Sequence, residues 1–292
     1  MISGNFEFIA NLLKEKSGLI ITPDKLYLLD ARLSPIARRR GCKDLDSLVA
    51  AMREPFADAL TGEVVDAMTT NETSFFRDKN PFEALKTNVI PGLIARRQAQ
   101  RSLRIWSAAC STGQEPYSLA MLLRDTFPLL SAWRVEIVAT DISPTVLSRA
   151  RDGLFTTFEV QRGLPIQTLI KHFDQIEQNW QVKPELRRMI DFKPANLLGD
   201  IAALGRFDVI LCRNVLIYFD QPTKTGVLDK MAKMLAPDGS LLLGGAESIF
   251  GICDGLRDIA GVRGVYGPAT APHATKKPLR PPEPISTTRI AS

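Results

Sequence analysis

The chain has 292 residues, 45% of them hydrophobic and 24% charged, with 19 Gly and 19 Pro. That composition excludes collagen-like, disordered and coiled-coil character for most of the chain, and no apolar run approaches the ~20 residues that span a bilayer. The net charge of +5 does not point to nucleic acid, because residues 268–292 hold Lys276, Lys277, Arg280 and Arg289 against Glu283 alone, which gives +3 of the total and leaves the rest near neutral.

The opening MISGNFEFIANLL carries Glu7 inside its apolar stretch and has no basic lead-in, so no signal peptide is expected. Cys42, Cys110, Cys212 and Cys253 lie far apart, with only His172 and His273 beside them, which predicts neither a disulfide framework nor a metal site. A reducing cytoplasm is the expected compartment.

Residues 1–70 read as helices alone. Phe6, Ile9 and Leu13 recur at helical spacing, and Gly18 stands where that helix stops. Thr22-Pro23-Asp24 reads as a cap with proline at the first helical position. The stripe Leu26, Leu29, Leu33 and Ile36 follows, and Pro35 is expected to kink or end its helix. Two more helical patterns run through Leu45, Leu48, Val49 and Met52, then Phe56, Leu60, Val64 and Met68.

Residues 71–100 connect this unit to a second one with a different grammar, which extends to residue 268. LRIWSAAC, VEIVATD, MIDFKPANLL, FDVILC and SLLLGGAE read as strands. YSLAMLLRDTF, SPTVLSRARD and a segment near 222–236 read as the helices between them. The alternation predicts an α/β unit, a mostly parallel, doubly wound sheet with helices on both faces. Residues 153–190 break the rhythm and are too long for a simple connection, which predicts an inserted subdomain. Residues 269–292, rich in proline, read as a disordered tail.

In such sheets ligands bind beyond the carboxyl ends of the strands. The segment Ala108-Ala109-Cys110-Ser111-Thr112-Gly113-Gln114-Glu115-Pro116 holds a single glycine, so it is neither a dinucleotide fingerprint nor a Walker loop. Asp141, closing VEIVATD, suits a ribose diol or an N-cap of the next helix. Asn196-Leu197 offers an amide and an apolar face to a flat base, or a plain turn asparagine. A polar Asn214 and Tyr218 follow FDVILC within Arg213-Asn214-Val215-Leu216-Ile217-Tyr218-Phe219. A ribose-binding acid without a phosphate cradle fits a nucleoside that lacks pyrophosphate, such as S-adenosylmethionine, and hence a methyltransferase.

Three strings are more specific. Thr70-Asn71-Glu72-Thr73-Ser74-Phe75-Phe76-Arg77-Asp78, WSAACSTGQEPYSLAM and CRNVLIYF together resemble the chemotaxis receptor glutamate methyltransferase family, CheR, in its order and spacing over roughly residues 5–267. The resemblance implies an all-helical receptor-docking N-terminal domain (1–70). It implies a Rossmann-like S-adenosylmethionine-dependent domain (71–268) with a small inserted antiparallel β-subdomain. It also implies O-methylation of glutamates on the cytoplasmic helices of chemoreceptors, with S-adenosyl-L-homocysteine as product.

Carried over residue by residue, it assigns cofactor contacts to Asn71, Thr73, Arg77, Glu115, Asp141, Asn196, Leu197, Asn214 and Val215, and puts Arg77 and Tyr218 beside the transferring methyl. Glu115 would hold the ammonium of the methionine moiety, or simply place an anion at a helix N-terminus. Arg77 would pair with the incoming carboxylate or with that of the cofactor. A glutamate is ionised at neutral pH, so the transfer needs no general base, and the leaving group is a neutral thioether, so it needs no metal.

Six basic residues and one acidic residue fall within 25–43, and Lys25, Arg32 and Arg39 are spaced by seven. With Arg38 and Arg40 they are the expected dock for glutamate-rich receptor helices, the alternative being a solvated face. Some members of the family bind a pentapeptide tether on the inserted sheet, using a glycine-containing loop. Here Phe173-Asp174-Gln175-Ile176-Glu177-Gln178-Asn179-Trp180 is shorter and lacks glycine, which predicts a pentapeptide-independent enzyme. The expected state is a monomer that contacts neither nucleic acid nor the membrane interior. The rival reading is a cofactor-binding protein of the same fold that serves another signalling partner or works as an interaction module.

Overall fold

The structure is a computed structural model, and it describes residues 3–270. The tail expected at 269–292 falls, from residue 271 onward, outside the described residues. Four helices come first: α1 (Ser3–Ser17), α2 (Leu26–Arg39), α3 (Leu45–Met52) and α4 (Asp58–Met68). Their apolar stripes close on one another, and Ile9, Leu13, Leu29, Leu33, Leu48, Val49 and Val64 are wholly buried. Gly18, at φ +75°, ends α1, and Asp44 with Ser47 forms a capping box at α3.

Of the two effects expected of Pro35, the ending does not occur: α2 continues to Arg39 with the proline inside it. An interior proline costs about 3 kcal/mol. Leu29, Leu33 and Ile36, all buried on this helix, contribute roughly 1.5–3 kcal/mol each, and the sum outweighs the lost hydrogen bond.

The connection is itself helical, with α5 (Lys79–Ala84) and α6 (Ile90–Arg96) joined by a π turn at Leu85–Val89. The α/β unit then runs β1 (Ser102–Ala108), α7 (Gln114–Thr126), β2 (Arg134–Asp141), α8 (Pro144–Asp152), β3 (Leu154–Thr156), α9 (Thr157–Gln161) and α10 (Ile166–His172). It continues with β4 (Phe173–Ile176), β5 (Asn179–Val182), α11 (Pro184–Arg187), β6 (Ile190–Pro194), β7 (Phe207–Cys212), α12 (Gln221–Met234), β8 (Leu235–Leu243), β9 (Leu256–Asp258) and β10 (Val265–Pro268).

Seven strands form one sheet in the order β6-β2-β1-β7-β8-β10-β9. β6, β2, β1, β7 and β8 are parallel, and β10 runs antiparallel to both β8 and β9. β3, β5 and β4 make a separate antiparallel sheet, the inserted subdomain. Apolar side chains bury on both faces of the large sheet: Ile105 and Leu211 belong to one cluster, Trp106 and Ile210 to the other. After β1 the chain builds outward through β2 and β6, then returns to the opposite edge of β1 with β7. The carboxyl ends of β1 and β7 therefore flank a topological switch point, where a crevice forms.

Candidate active site

The loop after β1 is tightly folded because Ala109, Ser111 and Gly113 all have positive φ, at +55°, +51° and +97°. A Cβ at Gly113 would stand 3.1 Å from the Ala150 Cβ on α8, so the lone glycine serves close packing as well as the turn. Phe76, Asp78 and Asn214 also have positive φ, so five of the eight left-handed non-glycine residues among the described residues lie in the segments around the crevice.

Asp141, at the end of β2, accepts from Ser111 N at 2.8 Å and from Ser143 N at 3.0 Å. It does not cap α8; Ser143 does, its Oγ accepting from Val146 N. Burial pushes the Asp141 carboxyl above the usual aspartate range, against the pull of these backbone donors.

Residues 69–78 form the second wall. Arg32 donates to the carbonyls of Met68 and Thr69 at 2.8 and 2.9 Å, and the Asn71 amide donates to Thr69 Oγ1 at 3.0 Å. Ser111 Oγ donates to Asn71 O, and Phe76 N donates to Ser118 Oγ, both at 2.9 Å. Phe75 is buried edge-on against Phe155 and Phe173 of the small sheet. Arg77, half-buried, donates to Glu72 O at 2.7 Å.

The third wall follows β7. Arg213 is buried and donates to Glu115 Oε2 at 2.8 Å, while Ser107 Oγ donates to Glu115 Oε1 at 2.8 Å. Glu247 gathers the backbone N–H groups of Asn214, Val215, Ile217 and Gly244 onto its two oxygens, at 2.8–3.3 Å. The helical N-terminal unit closes this side. Ile20 N donates to Tyr218 O at 3.1 Å, Lys14 pairs with Asp220 at 2.8 Å, and Ser17 and Leu19 line the crevice. A Cβ at Gly18 would meet the Phe219 ring at 2.8 Å.

One pocket collects every residue singled out as cofactor-binding or catalytic. Asn71, Thr73 and Arg77 come from the connecting segment, Glu115 from α7 and Asp141 from β2. Asn196 and Leu197 follow β6, and Asn214, Val215 and Tyr218 follow β7. Two of them also hold the fold together. The Asn196 amide donates to Lys16 O at 2.7 Å and its Oδ1 accepts from Leu198 N at 3.0 Å, so the turn reading of Asn196 is realised at the pocket rim. Glu115 begins α7 and is also paired to Arg213.

The docking set is elsewhere, and it divides. Lys25 and Arg38 are exposed. Arg39 and Arg40 both pair with Glu63 on α4. Arg32 is tied to the connecting segment. Sequence reasoning passed over Arg213 and Glu247. For Arg213 the available signal was a charged residue directly behind the apolar run Val209–Cys212. Nothing local marks Glu247.

The donor set suits an S-adenosylmethionine-like ligand. Buried Asp141 has two oxygens for a diol, Leu197 and Val215 offer apolar flanks for a base, Glu115 offers a carboxylate for an ammonium, and Arg77 offers a cation for a carboxylate.

Two family models match the chain. One is described as "CheR methyltransferase, all-alpha domain" and covers residues 4–69; the other, "CheR methyltransferase, SAM binding domain", covers residues 71–263. The chemotaxis protein methyltransferase Cher2 of Pseudomonas putida is 41% identical over 261 residues, which span 87% of this chain and 94% of that protein. Chemotaxis protein methyltransferase 1 of Pseudomonas aeruginosa is 42% identical over 257 residues, 86% of this chain and 93% of its own length. Among solved structures, the glycopeptide N-methyltransferase MtfA complexed with S-adenosylmethionine aligns with 60% of this chain and 58% of its own, at 16% identity and a TM-score of 0.32.

Proposed function

The chain belongs to the CheR methyltransferase family, and from that premise we propose that it forms methyl esters on glutamate side chains of chemoreceptor cytoplasmic helices, working as a monomer in the cytoplasm. It is an S-adenosylmethionine-dependent methyltransferase of bacterial chemotaxis. The observation that carries the finer reading is the convergence of Glu115, Asp141, Arg77 and Tyr218 on one pocket at the switch point of the sheet.

When bound, S-adenosylmethionine supplies a methyl on a sulfonium, and the leaving group is a neutral thioether. Asp141 takes the ribose hydroxyls, Glu115 the ammonium, and Leu197 with Val215 flanks the base. Asn71, Thr73, Asn196 and Asn214 supply polar contacts around them. The acceptor glutamate, with an unperturbed pKa of about 4.3, is already a nucleophile at neutral pH. The protein's task is alignment, and holding the reactants in line is the main source of rate. Arg77 receives a carboxylate at the pocket mouth, and Tyr218 flanks the reacting centre with its ring and hydroxyl.

Lys25 and Arg38, exposed at opposite ends of α2, offer charge complementary to glutamate-rich helices, with Arg39 and Arg40 beside them. β4 and β5 are joined through Glu177-Gln178 alone, with no glycine, which supports receptor methylation without a pentapeptide tether.

The test is transfer of labelled methyl from S-adenosylmethionine to chemoreceptor-containing membranes, with Arg77→Ala in parallel. Base-labile label in the receptor band, lost in the variant, supports carboxyl-ester formation at this site. Cofactor binding with no receptor label would replace this substrate with another partner.

A further inference from the structure

Arg213 is the most enclosed cation of the pocket, its side chain only 2% exposed, and it joins three separate segments. Nη1 donates to Glu115 on α7 at 2.8 Å. Nη2 donates to the Arg77 carbonyl and lies 3.1 Å from Asp78 Oδ2. The guanidinium carbon stands 5.5 Å from the centroid of the Phe82 ring on α5.

We propose that Arg213 is a positioning residue for the amino-acid end of the cofactor, an inference that rests on the methyltransferase reading above. It acts through two residues that line the pocket, Glu115 and Arg77. One Glu115 oxygen is fixed by Arg213 and the other by Ser107 Oγ, so the carboxylate has a single orientation, with each oxygen still able to accept a further donor. The Arg77 carbonyl is held by the same guanidinium, which fixes where the Arg77 side chain starts. A planar fork serves these partners together, whereas an ammonium is a point charge on a flexible stem.

The adenosine end hangs on other anchors. Asp141 is set by the backbone of Ser111 and Ser143, and the Asn214–Val215 peptides are set by Glu247. Among the described residues the Arg213 side chain bonds to Glu115, the Arg77 carbonyl and Asp78 and to none of those groups, its link to Asn214 being the peptide bond alone; the two ends of the ligand are held by separate side-chain devices.

That separation gives a test that general destabilisation does not mimic. S-adenosylhomocysteine carries both ends, while 5′-methylthioadenosine has the nucleoside and thioether but no amino-acid group. With Arg213→Lys, affinity for S-adenosylhomocysteine is expected to fall about tenfold or more, the scale of a lost charged hydrogen bond. Affinity for 5′-methylthioadenosine is expected to stay within about twofold. Ser107→Ala removes the other donor to Glu115 without changing charge, is expected to lose in the same selective way, and decides the matter if Arg213→Lys does not fold. Equal losses for both ligands, or no loss for either, overturn the proposal. A wild-type chain that binds neither ligand fails the methyltransferase reading itself and takes this inference down with it.

Discussion

Gly163 and Phe75 meet backbone to backbone: Gly163 has φ +100°, and a Cβ there would overlap the Phe75 carbonyl oxygen. The loop between α9 and α10 thus rests directly on the segment that ends in Arg77. Arg162 next to it pairs with Glu72 at 3.2 Å, and the Phe75 ring is enclosed by Phe155 and Phe173. The inserted subdomain braces one wall of the pocket.

Gly163→Ala therefore adds a collision to a strained backbone. Gly41, at φ +73° with nothing within 4 Å of its would-be Cβ, supplies the control for strain alone. Gly41→Ala is expected to cost about 1 kcal/mol, and Gly163→Ala about 2 kcal/mol or more. At roughly 2–4 °C per kcal/mol, thermal unfolding separates them. Only Gly163→Ala is expected to weaken S-adenosylhomocysteine binding; equal behaviour of the two variants would contradict the bracing role.

Glu247 sends one carboxylate to four backbone N–H groups. Glu247→Gln keeps one acceptor oxygen and turns the other into a donor facing donors. Part-buried N–H groups left without a partner cost about 1–3 kcal/mol each. Isothermal titration is expected to show weaker binding of S-adenosylhomocysteine and of 5′-methylthioadenosine alike, because the disturbed peptides flank the nucleoside. Selective loss of the former alone would place the effect at the wrong end of the ligand.

Asp141 makes binding pH-dependent, and the sign follows from its burial. Its folded pKa lies above the unfolded value of about 3.9. The ionised form therefore subtracts from stability at neutral pH, and the penalty fades as pH falls through the raised value. A ribose diol donates to the carboxylate and favours the ionised form. Affinity for S-adenosylhomocysteine is expected to be constant near neutrality and to drop as pH falls through the Asp141 pKa, with proton release on binding in that window. 5′-Methylthioadenosine shares the ribose and should show the same profile, while Asp141→Asn should flatten both. Titrations in buffers of different ionisation enthalpy read the proton directly.

The strand-end part of this site was legible because its signals are local, whereas Asn71, Thr73 and Arg77 were assigned through the family resemblance alone. Strand-like runs such as VEIVATD, which closes on Asp141, and FDVILC, which is followed by Arg213 and Asn214, marked strand ends, and those ends became the pocket. The partners that fix the site are not local. Arg213 meets Glu115 across 98 residues, the Asn196 amide meets Lys16 across 180, and Glu247 meets Asn214 across 33. No periodicity encodes such pairings. Pro35 does not end its helix for a related reason, since tertiary burial outweighs a local penalty. β9 and β10, of three and four residues, were passed over because they are too short to alternate; pairing with β8 makes β10 a strand.

The turn between β4 and β5 bears on tethering. Glu177 occupies it at φ +54°, and the turn holds two residues. A peptide added along the β4 edge would find no loop to fold over it. Receptors with and without a C-terminal pentapeptide are expected to be methylated at the same initial rate within about twofold, and the free pentapeptide should not compete. A tenfold gain from the pentapeptide would show that the β4 edge suffices for docking.

Arg32 and Arg38 lie on one helix and are expected to fail in different assays. Arg38 is exposed, whereas the guanidinium of Arg32 holds the carbonyls of Met68 and Thr69 at the start of the segment that carries Asn71 and Arg77. Arg38→Glu places like charge against a glutamate-rich acceptor. It should raise the receptor KM several-fold at low ionic strength, with the effect shrinking as salt rises, and leave S-adenosylhomocysteine affinity unchanged. Arg32→Ala should do the reverse, weakening cofactor binding and lowering thermal stability with little salt dependence, because it frees part-buried carbonyls and not a docking charge. Steady-state kinetics at two salt concentrations, paired with cofactor titrations, separates them. If Arg38→Glu left the receptor KM untouched at low salt, α2 would be a solvated face and the receptor would dock elsewhere.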